Sequence, residues 1–182
     1  MAGRYEIRFS GAGGQGLILA GVIMAEAASI YDGKQAVQSQ SYGPEARGGA
    51  SKSEVIISDE PIDYPKATVV DALLALTQEA CTKYSHDLKE GGILLIDSDL
   101  VTKRPEGNFK VVSFPIINTA KNDVGREIVA NIVALGAIVA LTGVVSRESA
   151  EKAVLSRVPE AFLELNKKAF NTGYEKAIAA KA

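Results

Sequence analysis

From Tyr5 to Ser10 apolar and polar side chains alternate, and a glycine cluster follows at once, so the pattern predicts a strand that enters a tight turn. Gln15 to Tyr31 then carries Leu17, Ile18, Leu19, Val22, Ile23, Met24, Ala27, Ala28 and Ile30 at spacings that predict a helix with a broad buried face, ending near Asp32-Gly33. Gln35–Gln40 is a short, weakly patterned strand, Ser41–Gly49 is a loop by its glycines and proline, and Glu54–Ser58 is a strand of mostly branched residues. Thr68–Leu76 predicts a buried strand and Gln78–Leu88 a short surface helix. The continuous run Ile93-Leu94-Leu95-Ile96-Asp97 has the composition of a strand buried on both faces of a parallel sheet, and Lys110–Phe114 is one further strand.

Beyond Pro115 the pattern turns helical: a buried helix over Gly125–Leu141, a second starting at an N-cap Ser146, and a last one with Pro159 in its first turn. From Ile128 to Val145 the chain is apolar except for Asn131 and Thr142, close to the length that spans a bilayer. Gly136 and Gly143 interrupt it, and no aromatic belt flanks it, so it reads as a helix buried among other elements. Strands alternating with helices, followed by helices alone, predict an α/β fold: a three-layer, mostly parallel, Rossmann-like sheet with a helical C-terminal third. No repeat or long linker divides residues 1–182, so one domain is expected.

Composition narrows the function. Lys plus Arg number 20 and Asp plus Glu 22, a net charge of -2, which excludes a basic nucleic-acid footprint. With 47% hydrophobic residues and a mean hydropathy of +0.08 the chain folds into a core and does not stay disordered. One cysteine, Cys81, excludes an internal disulfide and cannot hold an iron–sulfur cluster by itself; one histidine, His86, makes a histidine-based zinc site equally hard to build. Glu6 and Arg8 interrupt any apolar leader, so a cytoplasmic setting is expected.

Gly11-Ala12-Gly13-Gly14-Gln15-Gly16 fits a phosphate-type glycine loop between a strand and a helix. A dinucleotide site also needs an acid at the end of strand two, and Val37–Ser41 contains none; Asp32 lies before that strand. The glycines therefore serve an anion, or only close strand–helix packing. The second unusual stretch is Ser41-Tyr42-Gly43-Pro44-Glu45-Ala46-Arg47-Gly48-Gly49, in which Arg47 offers a planar fork for a carboxylate or phosphate and Glu45 is placed to orient it. Ordering so glycine-rich a loop is costly without contacts, which favours a binding or interface role. Cys81 and His86, five apart on a predicted helix, face different ways and make no catalytic pair. Asp97 and Asp99 are strand-end turn formers, and a buried Asn131 needs a hydrogen-bond partner, for which a neighbouring backbone carbonyl is preferred over a distant loop.

In this combination the glycine loop GAGGQG and SYGPEARGG resemble the gamma subunit of 2-oxoacid:ferredoxin oxidoreductases, which is the pyruvate/ketoisovalerate oxidoreductase catalytic domain of fused enzymes. Asn131–Gly136 is similar to that family's N-x-x-x-L-G helix, and Asn166–Tyr174 to its N-x-x-A-F-x-x-G-Y ending. Ala46, where many members carry methionine, is similar to the 2-oxoglutarate branch.

The resemblance implies a complex that converts a 2-oxoacid (2-oxoglutarate, pyruvate or branched-chain) and coenzyme A to acyl-CoA, carbon dioxide and reduced ferredoxin. Thiamine diphosphate, magnesium and iron–sulfur clusters are implied on other chains, and none on this one. The implied partners are alpha, beta and delta subunits and, through the complex, ferredoxin, with a homodimer of this chain expected. Gly11, Gly13, Gly14, Gln15, Gly16, Tyr42, Gly43, Pro44, Glu45, Arg47, Gly48, Gly49 and Asn131 are the expected ligand- or interface-binding residues, with no catalytic residue assigned to the chain. Arg47 suits an interface better than a coenzyme A phosphate, because no lysine cluster supports it. The other readings are a free-standing nucleotide-binding protein and a scaffold that only holds subunits together.

Overall fold

A computed structural model describes residues 3–42 and 49–181. Its centre is a six-stranded sheet in the order β2-β3-β1-β4-β5-β6. Strand β1 (Tyr5–Ala12) buries Ile7 and Phe9 on one face and Arg8 and Ser10 on the other. It is two residues longer than predicted, because Gly11 and Ala12 pair with Ser51 and Ala50. Helix α1 (Leu17–Glu26) continues as a π-helical turn over Ala27–Tyr31 and stops where Gly33 takes a φ of 66°.

Strands β2 (Gln35–Ser41) and β3 (Ala50–Ser58) form an antiparallel pair, and β3 lies antiparallel against β1. Their connection is too short for a parallel crossover, so the chain has to reverse. Ser41 therefore belongs to a strand and not to the loop. The parallel part of the sheet is β1 with β4 (Val70–Ala75), β5 (Leu88–Asp97) and β6 (Lys110–Phe114). Between β4 and β5 sits α2 (Gln78–Tyr84), whose N-cap Thr77 accepts from the Ala80 N–H at 3.2 Å. The predicted helix through Leu88 ends earlier, in a 3-10 turn over Ser85–Asp87, because Leu88 already pairs with Val70 in the sheet.

After β6, α3 (Ile116–Asn118) runs into a π-helical turn that closes at Gly125 with a φ of 105°. A 3-10 turn over Glu127–Val129 precedes α4 (Ala130–Thr142), so the buried helix begins later than Gly125. Next come α5 (Arg147–Ser156) and α6 (Leu163–Lys181). Ser146 caps α5 as expected, its Oγ accepting from the Ser149 N–H at 3.1 Å. Pro159 precedes a 3-10 turn that leads into α6, and so stands just outside the α-helix. No helix among the described residues is long and apolar enough to cross a membrane.

The three layers are unequal. α1, α4, α5 and α6 share the large core on the Ile7/Phe9 face, while α2 alone covers a smaller core around Leu73, Cys81 and Leu94. On that second face Arg8, only 2% exposed, bonds Glu54 at 2.7 Å and Asp87 at 2.5 Å and lies 5.2 Å from the centre of the Tyr84 ring. A guanidinium so deep in the fold is tolerated only because both carboxylates meet it.

Helix α4 is buried at every position except Ala140. It crosses α6 at two glycines: a Cβ on Gly136 would overlap the Phe170 carbonyl, and one on Gly173 would overlap the Val133 carbonyl. Backbone cannot move aside as a flexible side chain does. Gly136→Ala and Gly173→Ala should therefore each cost about 1–3 kcal/mol, measured as a lower urea midpoint with unchanged slope.

The end of the α1 segment is tied to α5 by Asp32, which accepts from the Ser146 N–H at 2.7 Å, Ser146 Oγ at 3.0 Å and Ser149 Oγ at 2.5 Å. Burial acts to raise its pKa, but the Ser149 and Ser146 hydrogen bonds and the nearby Lys34 charge outweigh it and lower it. A carboxylate with a depressed folded pKa stabilises above its unfolded pKa and loses that contribution as pH falls through the folded value. Asp32→Asn should thus be less stable than wild type at pH 7. The gap in melting temperature should shrink as the pH falls through about 4 and close below it.

Candidate functional site

The four parallel strands all deliver their carboxyl ends to one edge of the sheet, where ligands of open α/β folds collect. Antiparallel β3 brings its opposite end there, since Ala50 pairs with Ala12 and Lys52 with Ser41. Both unusual stretches of the sequence thus meet at this edge: the glycine loop after β1, and the two ends, exposed Tyr42 and half-buried Gly49, of the connection between β2 and β3. Gly43, Pro44, Glu45, Arg47 and Gly48 lie outside the described residues.

Within the loop the glycines have different reasons. A Cβ on Gly11 would crowd the Gln15 amide and stand 2.8 Å from Leu17 Cδ1, so packing against these two side chains favours glycine here. Gly16 takes a φ of 73°, and a Cβ there would stand 2.6 Å from Asn131 Nδ2. Gly14 takes a φ of 86°, and among the described residues neither it nor Gly13 has a neighbour within 4 Å of a Cβ. Gly13 and Gly14 are exposed, and nothing around Gly13 among the described residues demands a glycine. Gln15 turns inward, its Oε1 accepting the Ala12 N–H at 2.8 Å, so it closes the loop on itself. Gly16 then starts α1 with no side-chain cap and no acid in the first turn, leaving amide donors at the edge.

Asn131, in the first turn of α4, donates from Nδ2 to the Gly16 carbonyl at 3.1 Å, while its Oδ1 takes the Ile132 N–H at 2.9 Å. The preference for a neighbouring carbonyl is thereby corrected: the donor of this buried amide spans 115 residues to pin α4 to the glycine loop. The reason is the α4–α6 crossing, which brings the start of α4 against the strand ends.

Around this pin opens a cavity of about 700 Å³, walled by the glycine loop, Leu76, the Arg126–Ile132 segment and the Val158–Asn166 turn. Its wall is mostly apolar, and among the described residues Arg126 and Glu127 are the charged side chains that line it. Ile128 is 82% exposed in the turn that leads into α4. Leu19 and Phe162, exposed too, line the same opening. Sequence periodicity placed Ile128 in a buried helix and Leu19 among the apolar positions of a helix with a broad buried face, and it did not single out Arg126 or Phe162. The available signal was Gly125, a helix stop just before an apolar run.

The remaining candidates resolve simply. Asp97 is fully buried and accepts the N–H groups of Asp99 at 2.9 Å, Leu100 at 3.2 Å and Ile117 at 2.9 Å, so it shapes the loop after β5 as a turn former. Cys81 is buried, and burial pushes its thiol pKa up, whereas His86 faces solvent. Among the described residues no three His, Cys, Asp or Glu side chains converge as metal ligands. A lone buried thiol does not fit an iron–sulfur cluster. Strand β2, where a dinucleotide site would place its acid, stands two positions from β1 on the far side of antiparallel β3. Among the described residues the edge offers an apolar cavity, loop amides and the Arg126 guanidinium, a chemistry that suits binding.

Comparison with known proteins is consistent along the chain. Residues 6–176 match the family described as pyruvate ferredoxin/flavodoxin oxidoreductase. The 2-oxoglutarate synthase subunit KorC of Methanocaldococcus jannaschii is 57% identical, covering 96% of this chain and 94% of that protein. The pyruvate synthase subunit PorC of Methanothermobacter marburgensis is 33% identical over 94% of this chain and 96% of its own length. Among solved structures, a keto/oxoacid ferredoxin oxidoreductase gamma subunit from Geobacter sulfurreducens superposes with a TM-score of 0.93 at 83% identity, covering 98% of this chain and 99% of that one.

The geometry at Asn131 is open to direct test. Asn131→Ala removes one donor to the Gly16 carbonyl, which keeps the Ala20 N–H at 3.2 Å. The expected cost is about 1 kcal/mol in global stability. Amide exchange over residues 13–17 should speed up by more than that loss explains. Gly16→Ala, which combines a clash with a left-handed backbone, should cost more than Asn131→Ala in the same denaturation assay.

Proposed function

The chain belongs to the pyruvate ferredoxin/flavodoxin oxidoreductase family, and we propose that its whole length, 1–182, acts as the gamma-type subunit of a cytoplasmic 2-oxoacid:ferredoxin oxidoreductase of the 2-oxoglutarate type. The complex converts a 2-oxoacid and coenzyme A to acyl-CoA and carbon dioxide with reduction of ferredoxin. The 57% identity to a 2-oxoglutarate synthase subunit, together with Ala46, favours 2-oxoglutarate over pyruvate as the oxoacid. Thiamine diphosphate with magnesium supplies the decarboxylation chemistry and iron–sulfur clusters take the electrons, each on another chain. This subunit makes and breaks no bond itself. It homodimerises and presents its strand-end edge to the alpha, beta and delta chains.

The observation that carries this reading is the opening beside the glycine loop, where Ile128, Leu19 and Phe162 stand exposed around an apolar cavity. An isolated enzyme hides such groups or fills the cavity with substrate, whereas a subunit covers them on assembly. Gly13 and Gly14 add no side chain to the loop, which leaves its backbone amides open, among the described residues, to an anion or a partner's loop. Arg126 and, from the neighbouring connection, Arg47 with Glu45 supply the charge that orients whatever docks.

Affinity purification of the chain from its own cells should bring down thiamine-dependent partner chains and 2-oxoglutarate-dependent acceptor reduction. Purification without such chains at any salt concentration overturns the proposal. In the reconstituted complex Ile128→Asp should fold normally yet fail to assemble, since the residue is solvent-facing until partners arrive. Gly14→Val should leave the fold within about 1–3 kcal/mol of wild type, because only backbone strain opposes it, while abolishing complex activity. Arg47→Ala and Arg47→Lys distinguish two sources for its charge contact. Weakened assembly with unchanged KM marks an interface, and a raised KM for coenzyme A with intact assembly marks a ligand phosphate.

A further inference from the structure

We propose that the homodimer forms by antiparallel pairing of β2 with β2 of a second copy, joining two six-stranded sheets into one continuous sheet. This rests on the self-association proposed above and names its surface. The sheet has two outer strands, and they are protected differently. β6 is five residues long, begins with Lys110 and is followed at once by Pro115, all devices that blunt an edge against further pairing. β2 is seven residues long and reads Gln-Ala-Val-Gln-Ser-Gln-Ser, with no charge and no proline. Its register against β3 runs without a bulge from Gln35–Ser58 to Ser41–Lys52. The preceding lysine does not guard it, because Lys34 Nζ is bonded to the Val144 carbonyl at 2.6 Å. Among the described residues nothing pairs with the outer side of β2.

A second copy fits this edge on chemical grounds. With a twofold axis at Gln38, Val37 stands opposite Ser39, Ala36 opposite Gln40 and Gln35 opposite Ser41. Every cross-strand pair is neutral and small enough to sit side by side, so the strand is complementary to itself. An uncharged edge offers no attraction to a strongly charged partner strand. The π-helical turn that packs beside β2 adds apolar surface to the junction, leaving Ile30 65% and Tyr31 39% exposed. Two copies joined along β2 bring these turns toward the junction, where that surface is shielded from water.

The test uses the full chain. Sedimentation equilibrium should give twice the chain mass at micromolar concentration. Amide hydrogen exchange over residues 35–41 should slow as concentration rises and accelerate on dilution. Gln35 and Ser41 are exposed in the single chain, so Gln35→Lys/Ser41→Lys leaves the fold intact by circular dichroism. In the paired strands it sets lysine against lysine at both ends, raising the dissociation constant roughly tenfold or more at low salt, with partial recovery at high salt. Gln35→Thr/Ser41→Thr, neutral at the same places, should keep the wild-type mass. A dimer whose 35–41 amides exchange freely at every concentration, or one indifferent to the lysine pair, overturns edge pairing while leaving self-association standing. A monomer at all concentrations overturns both.

Discussion

The close crossing of α4 and α6 is the constraint from which the rest of the site hangs. Gly136 and Gly173 bring the two backbones nearer than any side chain would allow, so α4 lies buried almost all round and has little freedom to shift. Its N-terminal turn consequently stands against the carboxyl ends of the parallel strands. Asn131 converts that proximity into a specific attachment, holding the glycine loop by the Gly16 carbonyl. The cavity between loop, α4 and the start of α6 is the space left by this arrangement. Arg126 and Glu127, which line it, arrive with the 3-10 turn that leads into α4.

Binding and catalysis part company at this edge. Among the described residues several titratable side chains are consumed in structural work, as Arg8 with Glu54 and Asp87 or Asp32 with Ser146 and Ser149, and His86 lies on the surface beside Asp87. What the edge exposes is apolar surface and backbone, the chemistry of recognition. Membership in a family of oxidoreductases thus stands beside a chain whose one cysteine, Cys81, is buried.

Elements governed by neighbours in sequence were readable from the sequence alone. The β1–glycine loop–α1 unit, β6 and the Ser146 cap appear where alternation, glycine and capping chemistry put them, because each depends on contacts a few residues apart. The matching motifs also lay in the sequence, though without a physical reason for each residue. Asn131 shows the gap: its need for a hydrogen bond was legible, whereas its partner was not.

Tertiary structure decided the remainder. The short connection makes β3 reverse against β2, but nothing local determines that β3 inserts between β2 and β1, which removes the usual seat for a ribose-binding acid and, among the described residues, leaves β2 as an outer strand. Nor does local pattern separate Ile128 from the buried residues after it; its exposure follows from Gly125 ending one helical turn before α4 begins. Gly14 and Gly16 share a left-handed backbone, but only Gly16 is also closed by contact, with a side chain 115 residues away. Periodicity records which residues prefer water or core, an average over one side chain and its surroundings. Which two distant groups meet depends on how helices and strands pack together, and that is settled only when backbones as close as Gly136 and Gly173 permit have come to rest.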